Sequence, residues 1–216
     1  MFQILPYMLL SLILGFKHSY DADHLIAVSN FLRMAESLKS ATKIGLSWAF
    51  GHMLTATIIT VLLYLFRESI LSVILPHFEK IVGFVLIILG FLSLRELIAV
   101  HYHNHRHGDA VHAHPHTHKK NNHVHIHKHI FGIGIVHGLA SNDELLILLT
   151  SSLGAATLGS ILLGLGIFSI GVVLGMLIFS MILSFPLLKM DNKTIYKIFT
   201  FGSGAMSIVY GALILI

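Results

Sequence analysis

Leu9-Leu10-Ser11-Leu12-Ile13-Leu14-Gly15-Phe16-Lys17-His18-Ser19-Tyr20-Asp21-Ala22-Asp23-His24-Leu25-Ile26-Ala27-Val28 is the stretch that decides the fold class. An apolar run enters Lys17-His18-Ser19-Tyr20-Asp21-Ala22-Asp23-His24, and a second apolar run, reaching Leu32, leaves it. Five ionisable groups thus fall within eight residues of a hydrophobic segment. Each costs about 3 kcal/mol to place at the centre of a membrane helix. Such groups persist only if they face a cavity, pair with one another, or hold an ion. On a continuous helix His18, Asp21 and His24 follow one flank while Asp23 points elsewhere. If the helix unwinds here, all four converge. Two imidazoles with one or two carboxylates form a binding set for a borderline divalent transition metal.

The rest of the chain supports a membrane setting. Its 216 residues are 55% hydrophobic and 11% charged, with a mean hydropathy of +0.82; soluble domains carry about a quarter charged residues. The fold class expected is an all-α integral membrane protein. Cysteine is absent, which excludes disulfides, iron–sulfur clusters and thiolate metal sites. The formal charge of +4 sits in loops rather than along one face, so nucleic acid is not an expected partner. The N-terminus lacks a basic signal-peptide region, and its apolar stretch is expected to be retained.

Spans of about 20 apolar residues are expected at 2–30, 43–66, 77–100, 130–151, 157–184 and 193–216, six in all. Pro76 is expected to mark the start of the third span and Pro186 the end of the fifth. Glycines recur through the fifth span, where small residues let membrane helices approach closely. Eleven lysines and arginines fall in the loops 31–43, 101–129 and 185–192 or their flanks, against Arg67 and Lys80 opposite. This bias predicts that those three loops are cytoplasmic and both termini outside.

The two halves echo each other. His18-x4-Asp23-His24 aligns with His137-x4-Asn142-Asp143, each following a glycine three residues upstream, Gly15 and Gly134. Lys80-Ile81 likewise matches Lys197-Ile198. Three spans per copy make the second copy inverted, a plan that places a polar site near the midplane in secondary transporters. Between the halves (1–100 and 130–216) lies a different material, 101–129. It holds twelve histidines in three blocks: His101, His103, His105, His107; His112, His114, His116, His118; and His123, His125, His127, His129. Period-two spacing puts each block on one side of an extended strand. With no apolar core to fold on, the loop is expected to be weakly ordered. Its composition reads as metal-binding, for zinc, copper, nickel or iron alike.

Other polar residues lie inside the spans. His52 is mid-span, either a hydrogen-bonded core histidine or a functional group. His137 precedes Asn142-Asp143-Glu144 in the fourth span, where Asp143 and Glu144 either join a buried site or sit near the membrane surface. The candidate metal set is His18, Asp21, Asp23, His24, His52, His137, Asp143 and Glu144. No His-Glu-x-x-His helix, no nucleophile motif and no adjacent His-His pair occurs, so an enzyme is not expected.

Gly15-Phe16-Lys17-His18-Ser19-Tyr20-Asp21-Ala22-Asp23-His24-Leu25 resembles the signature of the nickel/cobalt transporter family, His-x4-Asp-His within a transmembrane helix. Ser47–Thr55, with Gly51-His52, is similar to that family's second motif. Gly138-Leu139-Ala140-Ser141-Asn142-Asp143-Glu144 resembles its third, with Ala140 where an aspartate is usual and Asp143 extra. A six-span chain with a His-rich loop is closest to the short branches, the urease-accessory-type nickel permeases and nickel/cobalt exporters. The resemblance implies transport of Ni²⁺ or Co²⁺ as substrate, with the signature histidines and aspartates as ligands. It also implies cytoplasmic nickel-handling proteins as partners. A zinc or general divalent-metal permease, a membrane metalloenzyme and a metal sensor are the alternatives.

Overall fold

The computed structural model describes residues 4–66, 71–99, 101–107, 110–116, 123–140, 157–189 and 193–216. Among them run seven helices and one hairpin: α1 (Ile4–His18), α2 (Ala22–Leu32), α3 (Leu38–Phe66), α4 (Leu71–Ala99), β1 (His101–His107), β2 (Ala110–His116), α5 (His123–Ala140), α6 (Leu158–Lys189) and α7 (Lys193–Leu215). Four stretches are long and apolar enough to cross a membrane: Leu38–Leu62, His77–Arg95, Leu158–Lys189 and Thr194–Leu215. Shorter apolar helices run over Leu5–His18 and His129–Leu139. The chain is an all-α, multi-pass membrane protein, with the hairpin as its only strands among the described residues.

Its surface is inverted relative to a soluble protein. Ile182 (67% exposed), Ile198 (66%) and Leu213 (62%) face outward, whereas Ser11, His18, His24, Asn30, His52 and His137 are buried. In lipid the apolar side chains need no burial, and polar groups must find partners inside. Thr57 Oγ1 donates to the Met53 carbonyl at 2.7 Å and Thr60 Oγ1 to the Ala56 carbonyl at 2.8 Å, satisfying hydroxyls within their own helix. Between helices, Ser93 Oγ donates to Asn30 Oδ1 at 2.6 Å and Ser207 Oγ to the Leu86 carbonyl at 2.6 Å.

The first span is not one helix. α1 ends at His18 and α2 begins at Ala22, with Asp21 in extended backbone (φ −63°, ψ 144°) at the N-cap position. The chain breaks inside the charged motif, where polar side chains compete for backbone partners. Both prolines expected at helix ends lie within helices instead. Pro76 falls in the second turn of α4 and Pro186 near the end of α6. Each releases one carbonyl four residues upstream, which a membrane helix tolerates near its ends.

α4 packs along α7, α3 along both α5 and α6, and α1 along α6. These helices approach until backbone meets backbone. A Cβ on Gly83 would meet the Gly211 carbonyl at 2.8 Å, and one on Gly90 would come as near the Ile208 side chain and the Gly204 carbonyl. Around the site, Gly134 lies against the Trp48 carbonyl and Gly15 against that of Phe168. The core between α2, α3, α5 and α6 gathers Val28, Leu32, Ile44, Trp48, Met53, Ile130, Phe168 and Met176.

The His-rich segment is more ordered than its composition predicts. β1 and β2 pair antiparallel, His101 opposite His116 and His107 opposite Ala110, because pairing satisfies backbone groups that a loop would leave to water. Its third block differs again, since α5 starts at His123. The apolar run from Ile130 propagates helix backwards through His123–His129, in place of the extended strand that period-two spacing suits.

Candidate metal centre

The break between α1 and α2 brings the first four candidates together. His18 closes α1, and His24 lies in the first turn of α2. His18, His24 and His52 each offer a ligand atom, all within 4.8 Å of one another, and all three side chains are buried. His18 Nε2 lies 3.2 Å from His52 Nε2. Their rings pack at centroid distances of 4.7 Å (His18–His24), 5.2 Å (His18–His52) and 4.9 Å (His24–His52). His137, on α5, sits on the far side, 5.9 Å from the His24 ring.

Hydrogen-bond partners settle which nitrogens face inward. His24 Nδ1 is 2.9 Å from the His18 carbonyl and His137 Nδ1 is 3.0 Å from that of Ile133. A carbonyl only accepts, so both Nδ1 atoms carry the proton. The His18 Nδ1 lies 2.9 Å from Asp21 Oδ2, and it too donates. Neutral imidazoles held this way turn the Nε2 lone pairs of His18 and His24 into the centre, while His52, whose Nδ1 has no partner among the described residues, can donate its Nε2–H to His18 Nε2. A metal-ligating histidine is usually fixed by such an outer acceptor. Asp23 Oδ2 stands 3.5 Å from His24 Nε2, one acceptor beside another. The Nε2 of His137 is buried with no hydrogen-bond partner among the described residues.

With the His52 proton displaced, the converging Nε2 lone pairs repel unless a cation lies among them. The spacing suits one. Bonds of about 2.1 Å set two nitrogens about 3.0 Å apart at a right angle and about 3.4 Å apart at a tetrahedral one. The His18–His52 separation falls between. Imidazole nitrogens with one carboxylate oxygen favour late transition ions over Mg²⁺ or Ca²⁺.

Two aromatic walls escaped the sequence reading. Trp48 stacks on His52 at 4.8 Å and 17° and meets the His24 ring at 4.8 Å. Phe168 lies 5.5 Å from the His18 ring. Trp48 carried a legible signal, since it precedes His52 by one helical turn and shares its face. Phe168 carried none, because α6 is apolar all round. Of the other candidates, Asp143, Glu144 and His118 lie outside the described residues. His101, His103, His105, His107, His112, His114 and His116 fall on the hairpin, and His123, His125, His127 and His129 on α5.

No family model matches the chain, and no solved structure matches it. Among curated proteins it is similar to the urease accessory protein UreH of Bacillus sp. (strain TB-90), 31% identical over 209 residues, which covers 96% of this chain and 90% of that protein.

Proposed function

We propose that this chain, which belongs to the family of the urease accessory protein UreH, carries Ni²⁺ across the membrane through the His18/His24/His52 centre. The observation that carries the reading is the cluster of His18, His24 and His52 ring nitrogens beside Asp23, buried among the helices. Such a set binds a dehydrated divalent ion and nothing larger. Asp21 and the carbonyls of His18 and Ile133 hold the rings, Asp23 offsets the cation's charge, and His137 adds a fourth imidazole. Co²⁺ is the second substrate. Copper binds such ligands more tightly than nickel, so selectivity follows from geometry and from which ion is delivered.

Access alternates between the two membrane faces by movement of two inverted halves. Packing supports this reading. α1 lies on α6 as α5 lies on α3, the exchange that a two-fold axis in the membrane plane demands. Gly83 and Gly90 are spaced as Gly204 and Gly211 are, and each glycine of one pair lies against a member of the other in crossed order. Gly15 against α6 is answered by Gly134 against α3. The lysine and arginine bias sets both termini outside and the hairpin in the cytoplasm.

Reconstitution in proteoliposomes with an internal Ni²⁺-sensitive dye tests the reading, wild type beside His24→Ala. Flux abolished by the substitution is the expected result. Tight Ni²⁺ binding without flux would replace transport with sensing or catalysis, and equal flux in both proteins would move the site elsewhere.

A further inference from the structure

α2 presents two faces, and only one of them belongs to the imidazole centre. His24, Val28 and Leu32 recur one helical turn apart, and Val28 and Leu32 enter the core shared with α3 and α6. Asp23, Ile26, Ala27 and Asn30 follow the neighbouring flank at helical spacing. That flank meets α4 and α7. Ile26 and Ala27 pack with Val82 and Leu86, and Asn30 Oδ1 accepts from Ser93 Oγ. Tyr210 of α7 packs against the same apolar cluster, which sets it beside the turn that carries Asp23.

The carboxylates form the exposed edge of the site. Asp21 is 35% and Asp23 19% exposed, whereas His18, His24, His52 and His137 are all at 2% or less. Carboxylates within a membrane bundle do not face lipid, so this edge faces a water-filled opening. An arriving cation passes Asp21 and Asp23 before it reaches an imidazole. Both carboxylates lie within electrostatic reach of the half-buried Tyr210 hydroxyl.

We propose that Tyr210 is a further residue of the transport reaction: with Asp21 and Asp23 it forms the mouth of the metal centre, where its hydroxyl holds water of the incoming ion's shell. The proposal rests on the reading of His18, His24 and His52 as the centre that binds the ion. Water bound to a cation donates hydrogen bonds, and carboxylate and phenol oxygens accept them. The carboxylates on the α2 side and the phenol on the α7 side thus share the shell while it is being shed. The hydroxyl acts during passage, and not once the imidazoles hold the ion.

Tyr210→Phe keeps the ring on Ile26 and Ala27 and removes only the hydroxyl. The single tryptophan of the chain supplies the readout: Trp48 is stacked on His52, so Ni²⁺ entering the centre quenches its fluorescence. Stopped-flow mixing of the full chain in detergent with Ni²⁺ yields entry and exit rates, and their ratio yields the affinity. Tyr210→Phe is expected to slow entry and exit together by about five- to tenfold, the weight of one hydrogen bond in the barrier, with affinity within about twofold of wild type. Tyr7→Phe is the control. Its hydroxyl lies at the Ser160 carbonyl, on α1 well before His18, and its rates should match wild type. Unchanged entry in Tyr210→Phe overturns the proposal. Faster exit with unchanged entry also overturns it, because Tyr210 would then be a partner of the bound ion. Equal slowing in Tyr7→Phe would reduce the effect to one on the fold and overturn it as well. Absence of quenching in the wild type would instead remove the imidazole centre on which the proposal rests.

Discussion

His18 Nε2 and His52 Nε2 stand 3.2 Å apart, on helices that the chain separates by a break and a connecting segment. Neither ring is oriented by the other alone. Asp21 holds the outer nitrogen of His18 at 2.9 Å, and the face of Trp48 lies flat on His52. The two nitrogens thus meet because the outer nitrogen of His18 is held and the His52 ring is stacked. Each support can be removed separately.

Asp21→Asn keeps the shape of the side chain and removes the anion that holds the His18 Nδ1 proton. Ni²⁺ affinity should fall by about 10–100-fold, the usual loss when an outer partner of a metal-bound histidine is changed. Isothermal titration in detergent reads it directly. Affinity within a factor of two of wild type would mean that Asp21 orients nothing.

Trp48→Ala should cost about 3–5 kcal/mol of stability, since the indole is fully buried and its loss opens a cavity. Trp48→Phe should cost less, because it leaves a smaller cavity and the indole Nε1 has no hydrogen-bond partner among the described residues. The comparison is made by unfolding in detergent. Equal losses in the two variants would show that the indole N–H matters after all.

Gly134→Ala should force α3 and α5 apart, because its Cβ would meet the Trp48 carbonyl. Overpacking of this kind costs about 1–3 kcal/mol, and it should weaken Ni²⁺ binding by shifting His137 away from His24. Gly166→Ala is the control. Nothing lies within 4 Å of a Cβ there, and alanine favours helix by about 1 kcal/mol over glycine. Thermal midpoints should therefore move in opposite directions.

Binding should weaken as pH falls. Imidazoles ligate only when neutral, so protons compete with the metal; each proton displaced on binding lowers apparent affinity about tenfold per pH unit once the ligands protonate. A Ni²⁺ titration series in the acid range measures the slope. Affinity still independent of pH below the carboxylate range would remove histidine from the ligand set.

Much of this protein was legible before any coordinates. Hydropathy placed it in the membrane, because 55% hydrophobic residues leave no soluble fold to bury them. The charged motif at 17–24 marked a candidate site, since Asp21, Asp23 and two histidines are costly among apolar neighbours. The period of the histidine blocks fits the strand at His101–His107, whereas composition pointed to a weakly ordered loop. Composition did not reveal the pairing of that strand, because backbone hydrogen bonds depend on which segment lies opposite. Nor did a local period foresee helix at His123–His129, where the neighbouring apolar run decides.

Tertiary structure alone determined how the candidates meet. On a straight helix Asp23 faces away from the flank of His18 and His24; the break at Ser19–Asp21 reorients α2 against α1, so that the His18 and His24 rings meet at 4.7 Å with Asp23 beside His24. His52 was ambiguous because a lone histidine carries no partner in its own sequence, and its partner proved to be His18. Phe168 was invisible for the same reason. Ligand chemistry belongs to residue types and can be read along the chain. Convergence belongs to helix packing, and here it depends on glycines that admit another helix's backbone where any side chain would hold it off.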